Sequence, residues 1–361
     1  MAESNLSSAA AKKLAAIRKS YGDDAFTSTS SVGRGTRVII PTGSILLDSA
    51  LGPGGWPDNG CVEVAGKFSA GKTTLAIETA REVQEREDSD RRNVLFIDFE
   101  HALDLPYVSQ LGVDLTDIRD GGRFMMVQPS CLEEGWDIAH KLVTEPTFNI
   151  GLVAMDSVAG MIPRKMTENP EAKDIGLQAR LLAPNYAIMA QNCNEWKTLC
   201  MLLNQVRTKL TGTGRNMHAT EETPGGNALR FWMLVRVWLE KSSVIKGKVI
   251  DPVTREEVDG QIGQTTWCKI IKNKIGGPPG RRFKYHMRHG EGIDNIQAII
   301  DVSRGRGFIA GGRGGHYLIT MPNQEEIKIR GTEELLRRLQ EDGDLQAKLY
   351  EACDFDNLWD V

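Results

Sequence analysis

The stretch 66–74, GKFSAGKTT, constrains this chain more than any other. Gly66, Gly71, Lys72 and Thr73 fill the G-x-x-x-x-G-K-[ST] pattern of a phosphate-binding loop. A hydrophobic run at 61–65 precedes it, and an amphipathic run with Leu75, Ile77 and Val83 follows. The order is strand, loop, helix, which is the context the motif requires. The glycines let backbone N–H groups close on a polyphosphate, and the start of the following helix adds partial positive charge. Lys72 can reach the outer phosphates, and the Thr73 hydroxyl can ligate Mg²⁺. The loop as a whole, with Lys67, Phe68, Ser69, Ala70 and Thr74, is the candidate nucleotide cradle. It does not say what the nucleotide is for.

Two downstream apolar runs end in acid. Residues 93–100, NVLFIDFE, read as a buried parallel strand carrying Glu100 past its carboxyl end, where chemistry gathers in open α/β sheets. Residues 149–156, NIGLVAMD, place four apolar residues ahead of Asp156, a pattern whose carboxylate holds the Mg²⁺ shell. A third buried run, 198–205, ends in the amide pair Asn204–Gln205. Helices are expected at 42–51, from the loop to about Glu85, at 132–143 and at about 177–195. Strands are expected at 37–40, 229–241, 265–275 and 281–288. A helix at 293–303, a strand at 316–320 and helices at 332–340 and 344–353 complete the reading. Two polar stretches, 160–176 and 207–226, lack hydrophobic period and read as long loops. Each follows a strand end, so each is either a functional surface or an insertion.

The net charge of −4 shows no general basic excess. Its distribution is uneven: residues 203–288 carry 16 Lys/Arg against 7 Asp/Glu, whereas residues 324–361 carry 5 against 11. This asymmetry suggests a basic functional surface and an acidic tail, or simply two solvated faces. The six cysteines show no C-x-x-C pair and no zinc spacing, as expected of free thiols in a reducing cytoplasm. No apolar run approaches transmembrane length, so a cytoplasmic protein without membrane contact is expected. Near the N-terminus, Leu14, Ile17 and Tyr21 share one stripe of a short helix at 5–20, followed by a polar linker at 22–36. That helix either docks on a neighbouring subunit or folds back on its own.

Several segments together carry a family signature: TGSILLDSALGPGGWP (42–57), the P-loop, FIDFEHALD (96–104), LGVD (111–114), MDSVAGMIPR (155–164), NQVRTK (204–209), GGNALRF (225–231) and IIKNKIGGP (270–278). Over residues ~5–305 the sequence resembles the RecA family of bacterial homologous recombinases. The loop interior KFSA departs from the family's usual PESS, and the first long loop is about one residue shorter. The resemblance implies an α/β fold, with a mostly parallel twisted sheet flanked by helices, an N-terminal helix and a small C-terminal α/β segment. It implies three parts: 1–35 for subunit docking, an ATPase core at 36–292, and 293–361 with the acidic tail. ATP and Mg²⁺ are the implied cofactors.

The implied roles are carried residue by residue. Glu100 would activate the attacking water, with Lys72 on the phosphates. Gln205 would sense the outer phosphate and relay it to loop 207–226. Lys272 and Lys274 would reach the neighbouring subunit's ATP, with Phe231 as an interface aromatic. Asp104 and Tyr107 would stand beside the adenine. Arg180, Arg207, Lys209, Gly225, Gly226 and Asn227 would contact single-stranded DNA, while Pro224 replaces the family's usual threonine. The expected activity is a DNA-dependent ATPase that forms a helical homo-oligomeric filament on single-stranded DNA. The filament would pair that strand with homologous double-stranded DNA in recombination and repair. A hexameric helicase on the same fold and a mediator with little turnover are the alternatives.

Overall fold

The computed structural model describes residues 8–21, 38–86, 92–169, 176–211 and 218–359. The chain divides into two units, Met1–Val38 and Ile39–Val361. In the first, the described element is helix α1 (Ser8–Tyr21), none of whose described side chains is buried.

The second unit opens with β1 (Ile39–Ile40), α2 (Ile45–Leu51) and β2 (Trp56–Pro57). Strand β3 (Gly60–Gly66) then enters the P-loop and α3 (Lys72–Glu85). Next come β4 (Asn93–Asp98), α4 (Leu105–Gln110), β5 (Phe124–Val127), α5 (Leu132–Val143) and β6 (Ile150–Asp156). They lead to α6 (Arg164–Glu168), α7 (Leu177–Trp196) and β7 (Leu199–Gln205). A small hairpin of β8 (Arg207–Thr211) and β9 (His218–Glu222) precedes α8 (Gly226–Trp232). Strands β10 (Val235–Ile250), β11 (Glu257–Asn273), β12 (Arg282–Arg288) and β13 (Gly292–Ile293) lead to α9 (Asn295–Gly305). The C-terminal part holds β14 (Ile309–Gly311), β15 (His316–Thr320), β16 (Glu326–Arg330), α10 (Thr332–Glu341) and α11 (Gly343–Ala352).

Nine strands form the main sheet in the order β13-β12-β11-β10-β3-β7-β6-β4-β5. The run from β10 to β5 is parallel, and β10 to β13 pair antiparallel. Strand side chains alternate between faces, so each buried strand feeds two apolar layers. Val62 and Val64 of β3, with Leu152 and Ala154 of β6, join Leu75, Ile77 and Val83 of α3 on one face. Cys61, Val153, Met155 and Leu202 join Trp136 of α5 and Tyr186 of α7 on the other. Each fully buried aliphatic side chain contributes about 1.5–3 kcal/mol relative to exposure. Both layers are complete only with helices on both faces, which is why 93–98 and 150–156 read as uninterrupted apolar runs.

The carboxyl ends of the parallel strands lie side by side. Gly66 is in register with Gln205, and Asp98 with Asp156. Since β7 and β6 separate β3 from β4, the chain after the P-loop crosses two strand positions before it re-enters the sheet. Such switch points are where α/β sheets bind ligands.

Four local expectations need correction. Stretch 160–176 is not wholly loop, because α6 occupies 164–168; residues 170–175 lie outside the described residues. Stretch 207–226 is not wholly loop: 207–211 and 218–222 pair as β8 and β9, polar strands without apolar alternation, and residues 212–217 lie outside the described residues. Stretch 229–241 begins as α8 and becomes strand only at Val235: Leu229 and Met233 are buried four residues apart, a helical spacing. Strand β11 begins at Glu257, well before 265, because its first half is solvent-facing ribbon. Expectations for 22–36 fall outside the described residues.

Helix α2 is capped by Ser44, whose side chain accepts from the Leu47 amide. Asp48 in its first turn accepts from the Thr42 amide at 2.8 Å. Part of Asp48 reaches solvent, yet its carboxyl is enclosed. Burial pushes its pKa up from 3.8 to about 8, against the two Thr42 hydrogen bonds and with help from Glu82. Between those values the unfolded chain has released the proton that the folded chain still holds, so stability falls as pH rises. Asp48→Asn removes this slope. In urea melts at a series of pH values, the variant's stability relative to the parent should climb from pH 4 to pH 8 and then level off. A difference that does not change with pH would refute this account.

Candidate nucleotide site

At the carboxyl edge a cleft of about 410 Å³ is lined by the P-loop from Phe68 to Thr74, by Glu100, Asp156 and Gln205, and by residues from β11 and β12. This is within the size range of small-ligand pockets. Gly71 begins α3 at φ +90, with no side-chain cap on the helix start. The Thr73 hydroxyl donates to Asp156 Oδ2 at 2.7 Å. Burial raises Asp156 to about 6, while the Thr73 bond and Lys72 oppose the rise. Lys72 is shifted down by burial, against the pull of Asp156 and Glu100. Its Nζ donates to the Lys67 carbonyl at 3.1 Å.

Glu100 lies exposed at the mouth of the cleft. Its Oε1 accepts from Gln205 Nε2 at 3.0 Å and from the Ser157 hydroxyl. Both bonds fall on one oxygen. The buried Asp98 fixes the backbone beneath, accepting from the Glu100 and Leu103 amides at 3.1 Å each. Tyr107 places its hydroxyl 3.2 Å from Thr74 Oγ1, and Asp104 caps α4 through the Tyr107 amide.

The residues fit a magnesium–nucleotide pair. A hard cation takes oxygen donors, often one or two protein groups plus phosphate oxygens. Thr73 and Asp156 present a hydroxyl and a half-buried carboxylate in mutual contact. The helix start and Lys72 present donors and positive charge for phosphates.

Several expected residues stand elsewhere. Lys67 does not line the cleft: its Nζ pairs with Glu221 of β9 at 2.8 Å, and only its carbonyl serves the loop. Phe68 is 93% exposed on the rim. Lys272 and Lys274 are not brought to this cleft. Lys272 is in register with Arg236, and its Nζ satisfies the Arg230 and Phe231 carbonyls at 2.6 and 3.0 Å, capping the end of α8. Burial pushes its pKa down to about 8, aided by Lys274 and Arg236. Phe231, beside it, is 74% exposed.

Among the nucleic-acid candidates, Arg180 lies exposed on the first turn of α7 and Arg207 exposed at the start of β8. Lys209 lies in β8, with its side chain outside the described ones. Gly225 and Gly226 open α8 at positive φ, followed by the exposed Asn227.

Sequence reasoning missed the far wall. Gln264, Met287, Arg288 and His289 also line the cleft. Gln264 Nε2 donates to the Ser69 carbonyl at 2.8 Å and steadies that residue at φ +56. These residues come from strands with no motif of their own, so only the register of β11 and β12 could reveal them.

A buried network lies beneath the loop. Arg236 Nε meets Glu63 Oε2 at 2.5 Å, and Asn204 Nδ2 donates to Glu63 Oε1 and to the Pro224 carbonyl at 2.9 Å each. Arg236 also reaches the Thr223 hydroxyl at 3.3 Å.

Gly71→Ala tests the loop geometry. A Cβ there would lie 2.0 Å from Met287 Cε, on a backbone that L side chains rarely adopt. Left-handed geometry alone costs a non-glycine residue roughly 1–2 kcal/mol. Affinity for a fluorescent ATP analogue should fall at least about tenfold in equilibrium titration; unchanged affinity would contradict this packing.

A family model described as the RecA N-terminal domain matches residues 8–294. Protein RecA of Streptococcus mutans is 33% identical over 294 residues, which is 81% of this chain and 71% of that protein. Protein RecA of Fusobacterium nucleatum is 34% identical over 291 residues, covering 80% and 70%. Protein RecA of Streptococcus agalactiae is 33% identical over 288 residues, again covering 80% and 70%. The chain belongs to the RecA family.

Proposed function

We propose that this chain is an ATP-dependent recombinase that polymerises on single-stranded DNA and pairs it with a homologous duplex. The observation that carries the reading is the 3.0 Å bond from Gln205 to Glu100. It joins a carboxylate at the mouth of the nucleotide cleft to the last residue of β7, two positions before the hairpin at Arg207–Glu222.

In this reading ATP is the substrate, and Thr73 and Asp156 hold Mg²⁺, which neutralises phosphate charge. Lys72 exchanges its Lys67 carbonyl for phosphate oxygens. With Oε1 engaged by Gln205 and Ser157, Glu100 Oε2 is left to orient the attacking water and accept its proton. Gln205 then reports the state of the cleft to the hairpin. Tyr107 and Asp104 flank the base. Arg180, Arg207, Lys209, Asn227 and the amides of Gly225 and Gly226 grip phosphates without reading sequence.

Lys272 and Lys274 lie away from their own cleft, which supports a role in trans, on the ATP of the next subunit. Hydrolysis would then depend on assembly, as with cations supplied between subunits. The segment 1–35 would dock on that neighbour, the core at 36–292 would carry catalysis, and 293–361 would form a small C-terminal domain. Among the described residues no helix is long and apolar enough to cross a membrane.

D-loop formation between an oligonucleotide and a homologous supercoiled plasmid tests the reading. Parent protein with ATP should form D-loops, and Lys72→Ala should form at least about a hundredfold fewer. Unwinding without D-loops would favour a helicase, and DNA binding without DNA-stimulated ATP turnover would favour a mediator. Glu100→Gln should slow turnover by about a hundredfold or more, the scale of a lost general base. Its DNA filaments should outlive those of the parent after dilution, because ATP persists. Rapid release from DNA with ATP still bound would overturn that role.

A further inference from the structure

Glu100 Oε1 is held from two sides. Gln205 approaches from the end of β7, and Ser157 from the chain that follows β6. The Ser157 side continues into a single 3-10 turn, Val158–Gly160, closed by the Gly160 amide on the Ser157 carbonyl at 2.9 Å. Val158 and Met161 are fully buried, so the turn is seated in the core. It also lies against the chain just past β4: a Cβ on Gly160 would stand 3.2 Å from the Phe99 carbonyl oxygen and 3.4 Å from Glu100 Cγ. The turn therefore meets Glu100 twice, by a hydrogen bond and by close packing.

Gln178 joins this turn to α7. Its Nε2 donates to the Val158 carbonyl at 2.9 Å and to the Met161 carbonyl at 3.0 Å, so both amide hydrogens serve one turn. Gln178 is half-buried and is the second residue of α7, a helix that starts after Gly176 at φ +81 with no side-chain cap. Arg180 stands two residues on, exposed in the same first turn. Ala179, between them, packs on the start of α8: a Cβ on Gly226 would lie 3.1 Å from Ala179 Cβ. Val158 reaches the preceding glycine, its Cγ1 lying 3.4 Å from where a Cβ on Gly225 would be. Three candidate phosphate contacts, Arg180, Gly225 and Gly226, thus gather round the turn that touches Glu100.

The chemistry of the tie sets what it can do. Its acceptors are main-chain carbonyls, which changes of side chain at 158 or 161 leave in place, so the tie depends on the side chain at 178. An amide bonded to two carbonyls of one turn fixes that turn's orientation as well as its distance. Contiguous contacts of this kind are what carry coupling between two sites.

We propose that Gln178 is a positioning residue that couples DNA to ATP hydrolysis. Phosphates gripped at the first turn of α7 would shift turn 158–161, and with it the Ser157 hydroxyl that sets the Glu100 carboxylate. The inference deepens the recombinase reading and rests on it. Its route is separate from that through Gln205, and the two meet only at Glu100 Oε1.

The test follows ATP turnover by the full chain against poly-dT concentration. Gln178→Met removes the donors with little change in size. Its turnover at saturating poly-dT should fall at least about fivefold, the scale of one net hydrogen bond. Turnover without DNA, affinity for a fluorescent ATP analogue and the poly-dT concentration at half-saturation should all match the parent. Gln178→Lys, whose ammonium can donate to the same two carbonyls, should recover at least about half of the lost turnover. Parent-like turnover by Gln178→Met would overturn the proposal. An equal fall with and without DNA would mark a structural defect and overturn it too. A raised half-saturating poly-dT concentration at unchanged maximal turnover would make Gln178 a DNA contact instead, and no recovery by Gln178→Lys would show that the donors are not what matters. A parent whose ATP turnover ignores DNA would sink the recombinase reading itself, and this inference with it.

Discussion

A carboxylate with no access to water organises the centre of this molecule. Glu63 lies in the strand that delivers the P-loop, and it is paired with the nearly buried Arg236 of the adjacent strand. Asn204 bonds the same carboxylate from the strand on the other side and extends to the Pro224 carbonyl. Removing one member of a buried pair strands a charge and typically costs about 3–5 kcal/mol, whereas the intact pair contributes little net stability. Its value here is positional. It locks β3, β7 and β10 together with the chain at 223–224, three residues below the loop that is to hold phosphate.

That lock explains how a small event in the cleft can have a defined effect elsewhere. The P-loop, Gln205 and the segment leading to α8 share one rigid base, so displacement of Gln205 relative to Glu100 cannot be absorbed by general loosening. A relay between two sites needs an element with two arrangements and a fixed frame around it. In the proposed reading Gln205 would be the switching side chain and the Glu63 network the frame. Under the same proposal, Lys272 and Lys274, which do not line their own cleft, would leave the switch incomplete in a single subunit.

The parts legible in the sequence are those whose local chemistry and long-range placement agree. The apolar runs ending in Glu100, Asp156 and Gln205 are buried on both faces, so composition alone marks them as strands. Motif spacing then brings their ends to the P-loop. The far wall of the cleft was not legible, because Gln264 and His289 owe their position to antiparallel register rather than to any local pattern. The first half of β11 was hidden for the opposite reason: residues 257–262 face solvent and lack the apolar alternation that announces a half-buried strand. Lys67 misled because its backbone belongs to the loop while its side chain belongs to the hairpin.

Two ties therefore run from the nucleotide loop toward the hairpin, and they differ in their exposure to solvent. The Glu63–Arg236–Asn204 tie is enclosed and feels little of the surrounding ions. The Lys67–Glu221 tie is open to water on both sides, where the Debye length is about 8 Å at physiological ionic strength and about 3 Å at 1 M. Raising the salt concentration weakens the outer tie and spares the inner one. The joint between loop and hairpin is thus graded by ionic strength, a property that a chain with an uncharged residue at position 67 would not possess.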